Sequence, residues 1–158
     1  MKRYLSRINI AMMALAVMGL ATLTALAVAR PFHLVEHGKV TITARDDTGA
    51  VRDLVADGVG TATHLGLFTL HREAVLTARS GGPIFDVQGE ATLTAATGEQ
   101  LRTSFTGTID LSVGHADLIY EWTGGSKGRF ENATGTTVWS VDAANGSYDA
   151  VAEGELNY

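Results

Sequence analysis

The chain has 158 residues, which is enough for one domain or for one domain with a targeting segment. Its formal net charge of −5 makes nucleic acid an unfavourable partner, because an acidic surface repels phosphate. The 18 glycines and two prolines are typical of a β-rich chain, and the absence of cysteine excludes disulfides, thiolate metal sites and cysteine nucleophiles.

The N-terminal segment, residues 1–29, combines a basic start with an almost wholly apolar run from Ile8 to Ala29. Small residues in Ala25-Leu26-Ala27 are spaced as at a cleavage site. This pattern predicts a signal peptide, although the length of the run also allows a retained membrane anchor. In both cases the basic start predicts a secreted, periplasmic or otherwise extracytoplasmic protein that touches a membrane only through an uncleaved leader.

Residues 30–38 are expected to form a linker, and residues 39–158 the folded domain. In the linker, His33 and His37 flank Glu36 at a spacing that would put both imidazoles on one face of a helix. No further ligand lies nearby in the sequence. We therefore interpret both histidines as exposed polar residues.

From residue 39 onward, apolar residues recur at every second position, which is the period of a half-buried β-strand. The stretch 39–45 alternates in this way, and residues 46–50 form a predicted turn. The stretch 61–78 is long for one strand, and Gly66 is expected to mark a bulge or bend within it.

The second half of the chain continues the same alternation. Thr97-Gly98-Glu99 and Asn145-Gly146 have hairpin-turn composition, because glycine and asparagine tolerate positive φ. Seven or eight strands without an amphipathic helix after the leader predict an all-β antiparallel sandwich or barrel. We favour a single eight-stranded barrel, since the apolar face of the last strand can close against an early strand. The strands predicted here cover 84–96, 100–110, 115–123, 136–142 and 147–158.

A glycine-rich stretch, Thr123 to Gly135, reads TGGSKGRFENATG and separates two of these strands. Glycine adopts φ > 0 readily, so the stretch predicts a tight reversal. Phe130 is expected to be an apolar plug, and Arg129 can pair with an acid such as Glu131 across the turn.

This stretch resembles the corresponding turn of the allene oxide cyclase and dirigent barrels, and residues 60–158 as a whole resemble exported bacterial proteins of that type. The resemblance implies an eight-stranded antiparallel barrel whose lumen holds an apolar small molecule. It carries over no catalytic residues, and an oxylipin- or terpenoid-like substrate is an analogy only. The residues that carry the resemblance are Gly124-Gly125-Ser126, Gly128-Arg129-Phe130, Ala133, Gly135 and the terminal GELNY.

The candidate ligand-binding residues are mainly aromatic, because aromatic side chains near a barrel mouth commonly stack on a ligand. Packing in the core is the alternative explanation for them. For His64 the alternative is a buried, hydrogen-bonded structural position near one end of the barrel. The candidates are Phe105, Tyr120, Trp122, Trp139 and His64.

Two polar groups are weaker candidates. His115, Asp117 and Glu121 share one strand face, where they would support acid–base chemistry in a lumen or form a solvated ladder outside it. A bulge at Gly66 could bring His64, His71 and Glu73 together as metal ligands. We assign no catalytic residue, and we expect neither a metal nor a cofactor.

These observations predict an exported small barrel that binds an apolar small molecule or serves as an interaction module of the cell envelope. An isomerase or cyclase acting on an apolar substrate in the lumen is the alternative. A structural homo-oligomer is a third interpretation.

Overall fold

The structure, a computed structural model, describes residues 28–80, 82–123 and 125–158. The predicted signal peptide or anchor, apart from its last two residues, lies outside these ranges. Within them, no helix is long and apolar enough to cross a membrane. The elements are β1 (Arg30–Arg45), β2 (Val51–Ala62), β3 (Gly66–Ala78), β4 (Ile84–Ala95), β5 (Gln100–Asp110), β6 (His115–Trp122), a short 3-10 helix (Gly128–Phe130), β7 (Thr134–Ala144) and β8 (Ser147–Asn157).

Each strand pairs antiparallel with the next, and β8 pairs with β1, so the sheet closes into a barrel. The predicted all-β, eight-stranded antiparallel barrel is confirmed. The closed barrel accounts for the alternation of apolar and polar residues, because a sheet that curls on itself buries one face of every strand. In β3, for example, Leu70, Arg72, Ala74 and Leu76 are buried, and the residues between them are exposed.

The expected linker at 30–38 is wrong, because these residues form the first half of β1. Phe32 and Leu34 point into the barrel and are almost fully buried. Leu34 lies opposite Ala152 of β8 and Ala62 of β2, so this segment completes the barrel. The two-residue period therefore begins before residue 39, where intervening polar residues obscured it.

The stretch 61–78, which is long for one strand, belongs to two strands, so the expected bulge or bend at Gly66 is wrong. Strand β2 ends at Ala62 and β3 begins at Gly66, with a tight turn between them. His64 and Gly66 both have positive φ, 68° and 73°. This left-handed backbone reverses the chain, so Gly66 marks a hairpin turn and not a bulge.

One end of the barrel, the closed end, is covered by the loop between β6 and β7. The glycine-rich stretch there is a longer loop containing the 3-10 helix, and not a tight reversal. Phe130 is fully buried, with its ring 4.9 Å from that of Tyr158, so its role as a plug is confirmed. Arg129 pairs with an acid, as expected, but the partner is the carboxylate of Glu99 at 3.3 Å and not Glu131; it also donates to the carbonyl oxygen of His64.

Candidate functional site

A cavity of about 260 Å³ enters the barrel from the opposite end, the open end, where the β5–β6 and β7–β8 turns border it. Arg72 and Phe105 come from the middle of their strands and form its floor, while Tyr148 forms part of its side. An apolar cavity with a few polar groups at its base is typical of a small-molecule site. The apolar wall includes Val40, Leu54, Ala74, Ile109, Leu118 and Val141.

The floor contains a buried ion pair. Arg72 Nη2 donates a hydrogen bond of 2.9 Å to Glu36 Oε1, and the two side chains are only 5% and 0% exposed. Strand β2 lies between their strands, so the contact passes over the inner face of β2. Removing both charges from water is costly, and their mutual attraction repays this cost only when the remaining polar atoms also find partners.

Four aromatic rings surround the Arg72 guanidinium. Its central carbon lies 5.2 to 5.8 Å from their centroids, within the range of cation–π attraction. The rings also contact one another, with Tyr120 stacked on Trp139 at 4.2 Å and on Phe105 at 4.8 Å. The fourth ring belongs to Tyr148. This packing holds the cation in place in the middle of an apolar interior.

Two glycines make room for Tyr148. Gly38 and Gly58 lie opposite each other on the inner face of β1 and β2, and a Cβ on either one would collide with the Tyr148 side chain. The tyrosine can therefore lie flat across these strands. Its hydroxyl reaches the polar floor because both positions lack a side chain.

Several polar atoms of the floor lack a hydrogen-bond partner within the described residues. They are Glu36 Oε2, Arg72 Nε and the hydroxyls of Tyr120 and Tyr148. Buried polar atoms are rarely left unpaired, since each costs roughly 1–3 kcal/mol. The Tyr148 hydroxyl lies beside the Glu36 carboxylate and the Tyr120 hydroxyl beside Arg72, so these four groups meet one another inside the floor.

Burial alters the titration of the floor. It raises the pKa of Glu36 above its usual range, while attraction to Arg72 opposes that shift. Burial and the neighbouring Glu36 carboxylate raise the pKa of Tyr148. The Tyr148 hydroxyl therefore keeps its proton at neutral pH and remains a hydrogen-bond donor.

The structure separates the five predicted ligand-binding residues. Phe105 lines the cavity, while Tyr120 and Trp139 pack around Arg72. Trp122 lies towards the closed end, with its ring 5.4 Å from that of Phe32. His64 is also at the closed end, where its Nε2 lies 3.1 Å from the Pro31 carbonyl oxygen.

The polar ladder of β6 lies outside the barrel. Asp117 and Glu121 are exposed, and His115 Nδ1 lies 2.7 Å from Asp142 on the neighbouring strand. These side chains therefore form the solvated ladder outside the barrel that was one of the two interpretations of the sequence.

The proposed bulge does not bring the metal-ligand candidates together. His71 lies on the outer face beside Asp57 and Glu73, and His64 is in the turn at the closed end. No group of three His, Asp or Glu side chains suited to a metal ion occurs in the described part of the chain.

Sequence reasoning missed Glu36, Arg72 and Tyr148 as members of the site. One feature of the sequence could have identified Arg72. It occupies a position of the alternating pattern where an apolar residue is expected, between Leu70 and Ala74. A charge on the buried face of a strand requires a partner, which is why such a residue points to a polar centre.

A comparison with protein-family models finds no match to this chain. A comparison with curated proteins finds no significant match. The resemblance to allene oxide cyclase and dirigent barrels therefore stays a prediction.

Proposed function

We propose that this protein is an exported barrel that binds an apolar small molecule in the cavity at its open end. The observation that carries the proposal is the cavity itself, whose walls are apolar and whose floor is formed by Arg72 and Phe105. A solid core would leave no such space, since protein interiors are otherwise close-packed. The N-terminal leader pattern supports export.

The two ends of the barrel support a binding role. The closed end is sealed by Phe130, which leaves the open end as the entrance to the cavity. Arg30, where the barrel begins, is at the closed end, opposite Leu156 of β8. Any segment that precedes the barrel therefore joins it away from the entrance.

Binding of a neutral lipophilic dye, N-phenyl-1-naphthylamine, tests the proposal. We expect its fluorescence to rise on addition of the purified protein, and native mass spectrometry to detect a bound guest. Ala143→Phe should reduce dye binding at least tenfold, because Ala143 lines the cavity near its entrance. Val138→Phe, on the exposed face of the same strand, is the matched control. Equal binding by both variants would contradict the assigned site.

A further inference from the structure

We propose that the cavity selects a neutral apolar molecule, such as a ketone, ester or alcohol, over an alkyl carboxylate. The proposal rests on the proposed binding function and names the class of guest for the same site. It follows from the charge balance at the floor and from the size of the space.

The floor carries no uncompensated charge. Among the described residues that line the cavity, Arg72 is the only one with a charged side chain. Its guanidinium is already paired with Glu36 at 2.9 Å, and both groups are almost fully buried. The pair is therefore electrically balanced before any guest arrives.

A carboxylate head group would meet two penalties in the same place. It would lose its own hydration on entering an apolar cavity. It would also share the Arg72 cation with Glu36, which already lies 2.9 Å from it. Two carboxylates beside one buried cation leave a net negative charge away from water, which is strongly unfavourable.

The size of the space limits the apolar part of the guest. The cavity has a volume of about 260 Å³ and is open at one end, so a C10 chain can lie in it with its end near the entrance. A C10 ketone and the C10 carboxylate are therefore matched probes.

The test compares 2-decanone with decanoate at pH 8, each displacing N-phenyl-1-naphthylamine from the purified protein. We expect 2-decanone to bind at least tenfold more tightly than decanoate. Equal or tighter binding of decanoate would overturn this inference and leave the proposed binding function intact. Failure of the dye and both probes to bind would overturn the two proposals together.

Glu36→Gln provides a second measurement. It removes the compensating charge and keeps an amide oxygen that can accept from Arg72. We expect the ratio of decanoate to 2-decanone affinity to rise at least tenfold, because the cation is then free to attract the carboxylate. Glu121→Gln, on the exposed face of β6, should leave the ratio unchanged. An unchanged ratio in a folded Glu36→Gln protein would contradict the inference, and if that variant does not fold, the comparison with the unmodified protein decides.

Discussion

Arg72 and Glu36 are 36 residues apart in the sequence, yet their side chains meet inside the barrel at 2.9 Å. Each is the sole described partner of the other in a direct ion pair, and each also leaves one polar atom unpaired. A buried pair of this kind stabilises the fold less than its short distance suggests, because desolvation offsets the attraction.

This relationship predicts strong coupling between the two positions. Glu36→Leu or Arg72→Met alone should each lower the free energy of unfolding by about 3–5 kcal/mol, because each leaves an unpaired buried charge. The double variant should lie within about 1 kcal/mol of the unmodified protein or exceed it, since apolar side chains then fill the same space. Urea unfolding measures all three, and additive losses in the double variant would contradict the coupling.

The close approach of Tyr148 predicts intolerance at Gly58. Gly58→Ala should lower the free energy of unfolding by about 1–3 kcal/mol, because the new methyl group displaces the tyrosine from its place against β2. Gly82→Ala is the control, since a Cβ there meets nothing within 4 Å. Thermal unfolding of both variants measures the difference, and similar melting temperatures would show that Tyr148 moves away without cost.

The closed end depends on one aromatic side chain. Phe130→Ala should lower the free energy of unfolding by about 3–5 kcal/mol, because it empties a fully buried site in contact with Tyr158. Leu67→Ala, at an exposed position of β3, should cost less than about 0.5 kcal/mol. Denaturant unfolding checks both values, and a small effect at Phe130 would mean that the loop does not seal the barrel.

Two exposed histidines predict a pH dependence of stability. Hydrogen bonds to Asp57 and Asp142 raise the pKa of His71 and of His115 above the ordinary value of 6.5. Their stabilisation is therefore fully present below pH 6.5 and is lost as the pH rises through the folded-state pKa values. Since the pairs are exposed, each contributes less than about 1 kcal/mol.

The measurement is the free energy of unfolding from about pH 6 to about pH 9, compared between the unmodified protein and the double variant His71→Gln/His115→Gln. The stability of the unmodified protein relative to the double variant should fall across this range. Adding about 1 M NaCl should reduce the difference by screening the pairs. A difference that stays constant with pH would contradict the assignment.

Much of the architecture follows from local pattern. The two-residue alternation of apolar and polar residues located most strands and their inner faces, and Asn145-Gly146 located the last hairpin. The failures occurred where local signals conflicted. At 30–38, polar residues interrupted the apolar face. At 63–65, His64 adopts a positive φ although it is not glycine, so the turn there has no recognisable sequence pattern.

The candidate site was less predictable, for a geometric reason. Alternation tells which face of a strand is buried, but not which buried residues meet across a lumen. Tyr120 and Trp139 were expected to line a pocket, and their rings instead surround Arg72. The residues around Glu36 and Arg72 in the sequence do not indicate that the two side chains pair, because β2 lies between their strands.

The sequence by itself determined that the chain forms antiparallel strands with one apolar face, because successive side chains along a strand point to opposite faces and the pattern is visible in neighbouring residues. The tertiary structure decided which end is sealed, where space remains and which charges share it. Those features depend on how closure of the sheet brings distant strands together, and closure is a property of all eight strands at once.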